Sequence, residues 1–304
     1  MRIALTGAGG FLGSEILRQL ACENNVDVVA FSSKETLPAE SLFDKKLIVL
    51  SPDQATCSES YHGVDVLINC AFPRNANGAA IANGMNYLAT VFNVSSQLGI
   101  AIVNVSSQSV YDQHRKSPAM EQTPLCLDDS YAVAKYATEL LLKAHCSEMP
   151  HTSIRLASLI GPGFDQRVVN KMIKKAIAGE TIVVTDNGSR YGYLDVRDAA
   201  SGILAVAKNA PESWLPVYNL GIKQGLSLTD IGRSIERIAN CEFCLKCNIA
   251  FKEKDSPCEA VCSTVDSSLL IGQFKWMQSI SLDETVRSIF EYERRHRIGF
   301  KEDA

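Results

Sequence analysis

The 304-residue chain has no apolar run approaching the ~20 residues of a bilayer span, which argues against an integral membrane protein. Its net charge is only −4 at pH 7, so it lacks the basic excess that binding to nucleic acid or an anionic membrane surface calls for. It also lacks internal repeats and low-complexity tracts. Met1-Arg2 runs directly into an apolar segment, leaving no room for a cleaved leader, and a cytoplasmic protein is the expectation. What remains is a globular composition, 46% hydrophobic and 21% charged. It is enough chain to bury a large core and carry a second lobe.

Cysteine is not scarce: there are ten. Cys22, Cys57, Cys70, Cys126 and Cys146 are scattered among apolar segments and read as reduced, packed thiols. Cys241, Cys244, Cys247, Cys258 and Cys262 crowd together, but the local pattern EFCLKCNIAF resembles a strand, on which a spacing of three alternates faces. Zinc ribbons pair two separated knuckles instead, so no metal is expected.

Strand-like and helix-like segments alternate through the first half. Strands are expected at Ile3–Thr6, Asp27–Phe31, Lys46–Leu50, Val64–Asn69, Ala101–Ser106 and Ser153–Leu159. Helices are expected at Phe11–Ala21, Ala80–Leu98 and Ser130–Ser147. This rhythm predicts a parallel, doubly wound α/β sheet. After Gly161-Pro162-Gly163 it breaks into a helix (Arg167–Ala178), a hairpin-like stretch (Thr181–Tyr193), a helix (Val196–Lys208) and a short strand (Tyr218–Leu220). A helix (Leu228–Ala239), the cysteine-rich strand and a helix near Ser281–Arg295 follow. Residues 1–163, with 196–220 returning to them, are expected to form the first domain. Residues 164–195 and 221–304 would form a smaller α+β lobe over the carboxyl ends of the strands, where ligands of such sheets bind.

Two motifs carry chemistry. TGAGGFLG, from Thr6 to Gly13, places Gly7, Gly10 and Gly13 between the first strand and first helix. There a tight turn, backbone N–H groups and the positive end of a helix dipole can hold a diphosphate. Tyr131 and Lys135 stand at i and i+4 of YAVAK, on one face of a predicted helix. A free phenol titrates near ~10, and a neighbouring ammonium favours its phenolate, making a usable proton-transfer pair. Ser107 ends the buried-looking strand 101–106 at its carboxyl edge and can donate to a carbonyl oxygen. Ser106 competes for that role, and Ser109 adds a substrate contact. Together these suggest a redox enzyme that uses a nicotinamide cofactor.

TGAGGFLG, INCA (68–71), SSQSVYD (106–112), YAVAK, the Arg155 to Gly161-Pro162-Gly163 segment, Tyr218-Asn-Leu-Gly221 and Asp266 occur in an order that resembles the extended short-chain dehydrogenase/reductase family, the nucleotide-sugar epimerases and dehydratases. The resemblance implies a Rossmann-type fold, with Tyr131 as general acid/base and Lys135 as its pKa modulator. Counting back four residues from Tyr111 places the family hydroxyl on Ser107. It also implies a cofactor along Gly7, Gly10, Phe11, Leu12 and Gly13, with Cys70, Ala71, Asn86 and Ser158 nearby. A homodimer through a four-helix interface is implied too, for which Tyr87, Val91, Val94, Ala137, Leu140 and Leu141 are the apolar candidates.

Departures narrow the activity. No carboxylate ends the second strand, where NAD-specific members usually hold the adenosine ribose diol; Ser32, Ser33 and Lys34 stand there instead. They favour NADP(H) over NAD(H), since hydroxyls and an ammonium suit a 2′-phosphate. Gln108-Ser109 replaces the Asp-Glu of the dehydratases, and Ser158 replaces an asparagine that meets the substrate diphosphate in galactose-type epimerases. The usual hairpin arginine is displaced, with Arg190 its nearest counterpart and Arg167 or Lys171 as substitutes. A reductase acting on the 4-keto group of a nucleotide-linked sugar fits best. A 4-epimerase with retained NAD is the first alternative, and an inactive nucleotide-binding regulatory protein or a reductase of a non-nucleotide ketone are the others.

Overall fold

The computed structural model describes residues 1–37, 40–43, 47–73, 78–253 and 259–299. Five strands and three helices lead up to β6: β1 (Arg2–Thr6), α1 (Phe11–Ala21), β2 (Asp27–Phe31), β3 (Leu47–Leu50), β4 (Val66–Asn69), α2 (Gly78–Gln97), β5 (Ala101–Ser107) and α3 (Ser130–His145). Then come β6 (His151–Leu156), β7 (Ser158–Ile160), α4 (Val168–Ala178), β8 (Ile182–Asp186), β9 (Arg190–Tyr191), β10 (Tyr193–Asp195), α5 (Val196–Ala207) and β11 (Val217–Leu220). The remainder is α6 (Leu228–Cys241), β12 (Ile249–Glu253), β13 (Cys262–Ser263), α7 (Ser268–Phe274) and α8 (Leu282–Gly299).

Seven strands form one parallel sheet in the order β11-β6-β5-β4-β1-β2-β3. Its centre alternates by strand period: Ile3 and Leu5 pack with Ile16, Leu20 and Ile203 of α1 and α5, while Ala4 packs with Leu88, Val91, Phe92 and Leu142 of α2 and α3. Both faces are covered, which is why the strands read as near-continuous apolar runs. This is the Rossmann-type doubly wound fold that the alternating pattern predicts. A second core joins α4, α6 and α8 to β8 and β12 through Ile173, Val184, Ile235 and Phe290.

Three expectations need correction. The strand expected over 153–159 is two strands in different sheets: at Ala157 the amide bonds Leu220 O, and the chain then leaves the main sheet to pair β7 with β10. The stretch 181–193 is not a hairpin, because β8 pairs parallel with β12 and β9 parallel with β13. Asp186 turns the chain out between them, accepting from Gly188 N and from Thr229 Oγ1 on α6. The cysteine run is not a strand either. Cys241 ends α6, Cys244 has φ +53°, and Cys247 is bracketed by the side-chain amide of Asn240, so that the strand starts only at Ile249. Cys258 and Lys46 lie outside the described residues. Among the described residues, no three of these clustered cysteines come close enough to share an ion.

A polar ladder crosses the buried centre of the main sheet. Thr6 Oγ1 donates to Asn69 Oδ1 (2.6 Å), Asn69 Nδ2 to Asn104 Oδ1 (2.9 Å), and Asn104 Nδ2 to both Thr138 Oγ1 (3.1 Å) and Ser153 Oγ (3.3 Å). It ties β1, β4, β5, α3 and β6 at one level, just below the carboxyl edge. A buried amide left without partners costs about 1–3 kcal/mol per group. Asn104→Leu strands the Asn69 amide, so urea unfolding should report a loss of about 2–3 kcal/mol with an unchanged denaturant slope.

Candidate functional site

The carboxyl ends of β1, β4, β5 and β6 open into a cleft of about 540 Å³. Its wall includes Gly7, Gly10, Phe11, Leu12 and Gly13 at one end, Cys70, Ser107, Ser109, Tyr131 and Lys135 in the middle, and Ser158, Phe164 and Arg167 at the other. At the first end the chain needs glycine. Gly7 has φ +69°, and a Cβ there would lie 2.8 Å from Ala71 N; a Cβ at Gly13 would run into the backbone of Gly7. The turn therefore packs against the segment that follows β4, and α1 begins at Phe11 after Gly10, which offers no side-chain cap, and has no acid in its first turn. Uncapped amides at a helix start facing a cleft suit an anion. The glycine cradle thus fits a dinucleotide diphosphate.

Asp129 caps α3 by accepting from Ala132 N (2.7 Å), and this sets Tyr131 and Lys135 on the cleft-facing side one turn apart. Tyr131 is 38% exposed, whereas Lys135 is buried with its Nζ donating to Val105 O (2.8 Å). Burial pushes the Lys135 pKa down to about 8, against the opposing charge of Glu139. Burial likewise pushes the Cys70 thiol up to about 12, so it is a neutral neighbour. Ser107 Oγ accepts from both Ser109 N (3.2 Å) and Ser109 Oγ (3.0 Å), which leaves its own proton to donate into the cleft. Ser106, its competitor on sequence grounds, is buried and donates to Glu139 Oε1 (2.5 Å).

Glu139 is the hub of a buried network. It receives Arg155 through Nε (3.1 Å) and Nη2 (2.8 Å), and Arg155 Nη1 donates to Tyr111 Oη (3.1 Å), which donates to Asn219 Oδ1 (2.9 Å). Burial works to lower the Arg155 pKa, but the hydrogen bond and charge of Glu139 outweigh it and hold the guanidinium fully protonated. Sequence reading passed over Glu139, although its place one turn beyond Lys135 on the same helix face is a visible signal. Phe72 and Gln113 also line the cleft and carry no such signal.

Other candidates fall elsewhere. Ser32 and Lys34 border the glycine turn rather than the cleft, since a Cβ at Gly9 would meet Ser32 Oγ at 2.6 Å and Lys34 Cδ at 3.1 Å, and Ser33 is exposed and outside the cleft lining. Asn86 is exposed on α2 and outside the cleft lining. Arg190 pairs with Asp230 (3.1 Å) and does not line the cleft either. Arg167 does line it; its Nε is buried without a hydrogen-bond partner, and its guanidinium lies 5.6 Å from the Phe164 ring. Phe164 in turn stacks on Phe11 at 4.3 Å. Among the described lining residues none is Asp, Glu or His. Val91, one of the expected dimer-face residues, is fully buried against the protein's own sheet, because it points inward from α2.

The model of the NAD-dependent epimerase/dehydratase family matches residues 3–221. The chain is 23% identical over 250 residues to the low-salt glycan biosynthesis protein Agl12 of Haloferax volcanii, covering 76% of this chain and 79% of that one. It is 22% identical over 263 residues to a dTDP-4-dehydro-6-deoxy-D-allose reductase of Streptomyces bikiniensis, covering 77% and 79%. The structure of a Bacillus cereus UDP-glucuronic acid 4-epimerase in complex with UDP-glucuronic acid and NAD superposes with a TM-score of 0.80 at 18% identity, covering 97% of this chain and 100% of that one. The glycine turn, the sheet order and the family match over 3–221 agree: this chain belongs to the NAD-dependent epimerase/dehydratase family of nucleotide-sugar enzymes, the extended short-chain dehydrogenases/reductases.

Proposed function

We propose that the protein acts at a carbinol or ketone carbon of a nucleotide-linked sugar, and that its net reaction is reduction of a 4-keto group. The observation that supports this best is the meeting of Ser107, Tyr131 and Lys135 on one wall of a cleft that starts at the glycine turn. A bound nicotinamide dinucleotide would supply the two-electron chemistry that no side chain here possesses. Gly7, Gly10, Phe11, Leu12 and Gly13 would hold its diphosphate, while Cys70, Ala71, Lys135 and Ser158 would line its path. Ser107 donates to the substrate oxygen, and Tyr131 gives that oxygen its proton. The Lys135 ammonium favours the phenolate left behind. Ser109 holds Ser107 and faces the same space. Arg167, with its buried and unpartnered Nε, is the best-placed cation for the anionic part of the substrate. The lack of Asp, Glu and His among the described lining residues gives dehydration no acid/base pair.

For the dinucleotide we favour NADP(H). Ser32 and Lys34 crowd Gly9 just past β2, and a hydroxyl and an ammonium there suit a 2′-phosphate that an acid would repel. A 4-epimerase that retains its dinucleotide is the second reading. It uses the same three side chains, and the fold shared with the Bacillus cereus 4-epimerase keeps it in view. We also propose a homodimer through the outer face of α2 and α3, where Leu140 and Val133 are each 49% exposed with Ala137 between them, while Tyr87, Val94 and Leu141 are partly buried against the protein's own core. No helix among the described residues is long and apolar enough to cross a membrane.

Three outcomes follow. Tyr131→Phe should lose about 10²–10⁴ of kcat on any accepted 4-keto substrate while still binding NADPH; undiminished turnover would remove Tyr131 from the mechanism. Purified protein should arrive empty and bind NADPH at least tenfold better than NADH, with Lys34→Glu abolishing that preference. Retention of NAD through dialysis would favour the epimerase. Light scattering on wild type should give a dimer mass that Leu140→Glu halves.

A further inference from the structure

The segment that leaves β4 is gripped from both sides. Cys70 N bonds Thr6 O, the glycine turn leaves no room between Gly7 and Ala71, and Pro73 fills space that a side chain at Gly84 of α2 would need, its Cγ 2.5 Å from where a Cβ would sit. Phe72, between these anchors, is half-buried on the wall of the cleft. Its ring centroid lies 4.1 Å from Lys135 Nζ, and its plane stands at 90° to the ring of Tyr131, with centroids 5.5 Å apart. One aromatic side chain therefore touches both members of the proton-transfer pair.

The surroundings of Lys135 show why that contact matters. The ammonium has three donors, and the side chain is only 6% exposed. Val105 O on β5 takes one donor. The titratable groups packed around it are Cys70 at the end of β4, whose thiol burial keeps neutral, and Tyr131 and Glu139 one turn away on α3. The Glu139 charge is already engaged by Arg155 from β6 and by Ser106 from β5. A dry ammonium without compensation sheds its proton, and the negative face of an aromatic ring compensates without admitting water.

Building on the function proposed above, we propose that Phe72 is a positioning residue for the reaction, its ring keeping the Lys135 ammonium charged in a water-poor site and seating Tyr131 beside it. Phe72 acts through these two side chains. Leucine at this position preserves apolar bulk and dryness but has no ring face, whereas tyrosine keeps the ring.

The test reads Lys135 directly, without substrate or cofactor. Protein labelled with ¹³C at lysine Cε is titrated by NMR, and the Lys135 resonance is identified by its loss in Lys135→Met. Loss of a desolvated cation–π contact corresponds to about one pH unit. The Lys135 midpoint should therefore fall by about that much in Phe72→Leu and stay in place in Phe72→Tyr. A wild-type midpoint in Phe72→Leu, or an equal fall in Phe72→Tyr, would overturn the role of Phe72. Titrations of the same samples with NADPH and NADH separate this from the broader reading. Failure of the wild type to bind either dinucleotide overturns the proposed function, whereas intact binding with an unmoved Lys135 midpoint overturns the inference about Phe72 alone.

Discussion

The buried ion pair between Arg155 and Glu139 is the contact on which the site's geometry rests. It joins β6 to α3, and two further hydrogen bonds turn it into a fixture. Ser106 hooks β5 to the carboxylate, and Tyr111 hooks the turn after β5 to the guanidinium. Such a pair adds little net stability over well-packed apolar residues, but removing one partner leaves a charge stranded in the interior. Its value here is positional. The strand residue beside Ser106 is Ser107, and one helical turn before Glu139 is Lys135. Locking Ser106 and Glu139 together thus sets the spacing between the hydroxyl and the Tyr131–Lys135 face.

A second constraint comes from close backbone approach. The turn at Gly7 meets the backbone after β4 so tightly that no side chain fits, and this puts the glycine turn beside Cys70 and Ala71. The two halves of the cleft are therefore coupled: the same contact that seats the glycine turn fixes the segment whose aromatic ring lies against Lys135. At the far end, Phe11 of α1 stacks on Phe164 from the segment before α4, and the Arg167 guanidinium lies 5.6 Å from the Phe164 ring.

The sheet and the central side chains were legible because their signals are local. Glycines at 7, 10 and 13, the i and i+4 spacing of Tyr131 and Lys135, and a hydroxyl closing an apolar strand each lie within a few residues of chain. Partners brought in by tertiary packing left no such trace. Nothing in the sequence separates Ser106 from Ser107 until Glu139 is seen to capture the former. Arg190 looks available until Asp230 meets it, and Val91 looks like an outer-face residue until α2 turns it inward. The supposed hairpin at 181–193 failed for the same reason. Alternation predicts strands but not that each would choose a parallel mate far along the chain.

Those distant pairings bear on how the molecule is made. The bond from Val261 N to Ser189 Oγ closes a loop of 72 residues, and β8 and β9 gain their parallel mates from β12 and β13, with Leu226 bridging Tyr191 of β9 on the way. Similarly, the outer edge of β6 stays open until β11 arrives. Non-local parallel pairing is slow, since loop entropy is lost before any contact repays it. On the ribosome, the first six strands can assemble while β8 and β9 wait unpaired, and an unpaired strand edge is a template for association between chains. Truncation before Ile249 would remove the mates of both β8 and β9 for good. The second core, built on β8 and β12, is thus the portion of the chain most dependent on complete synthesis.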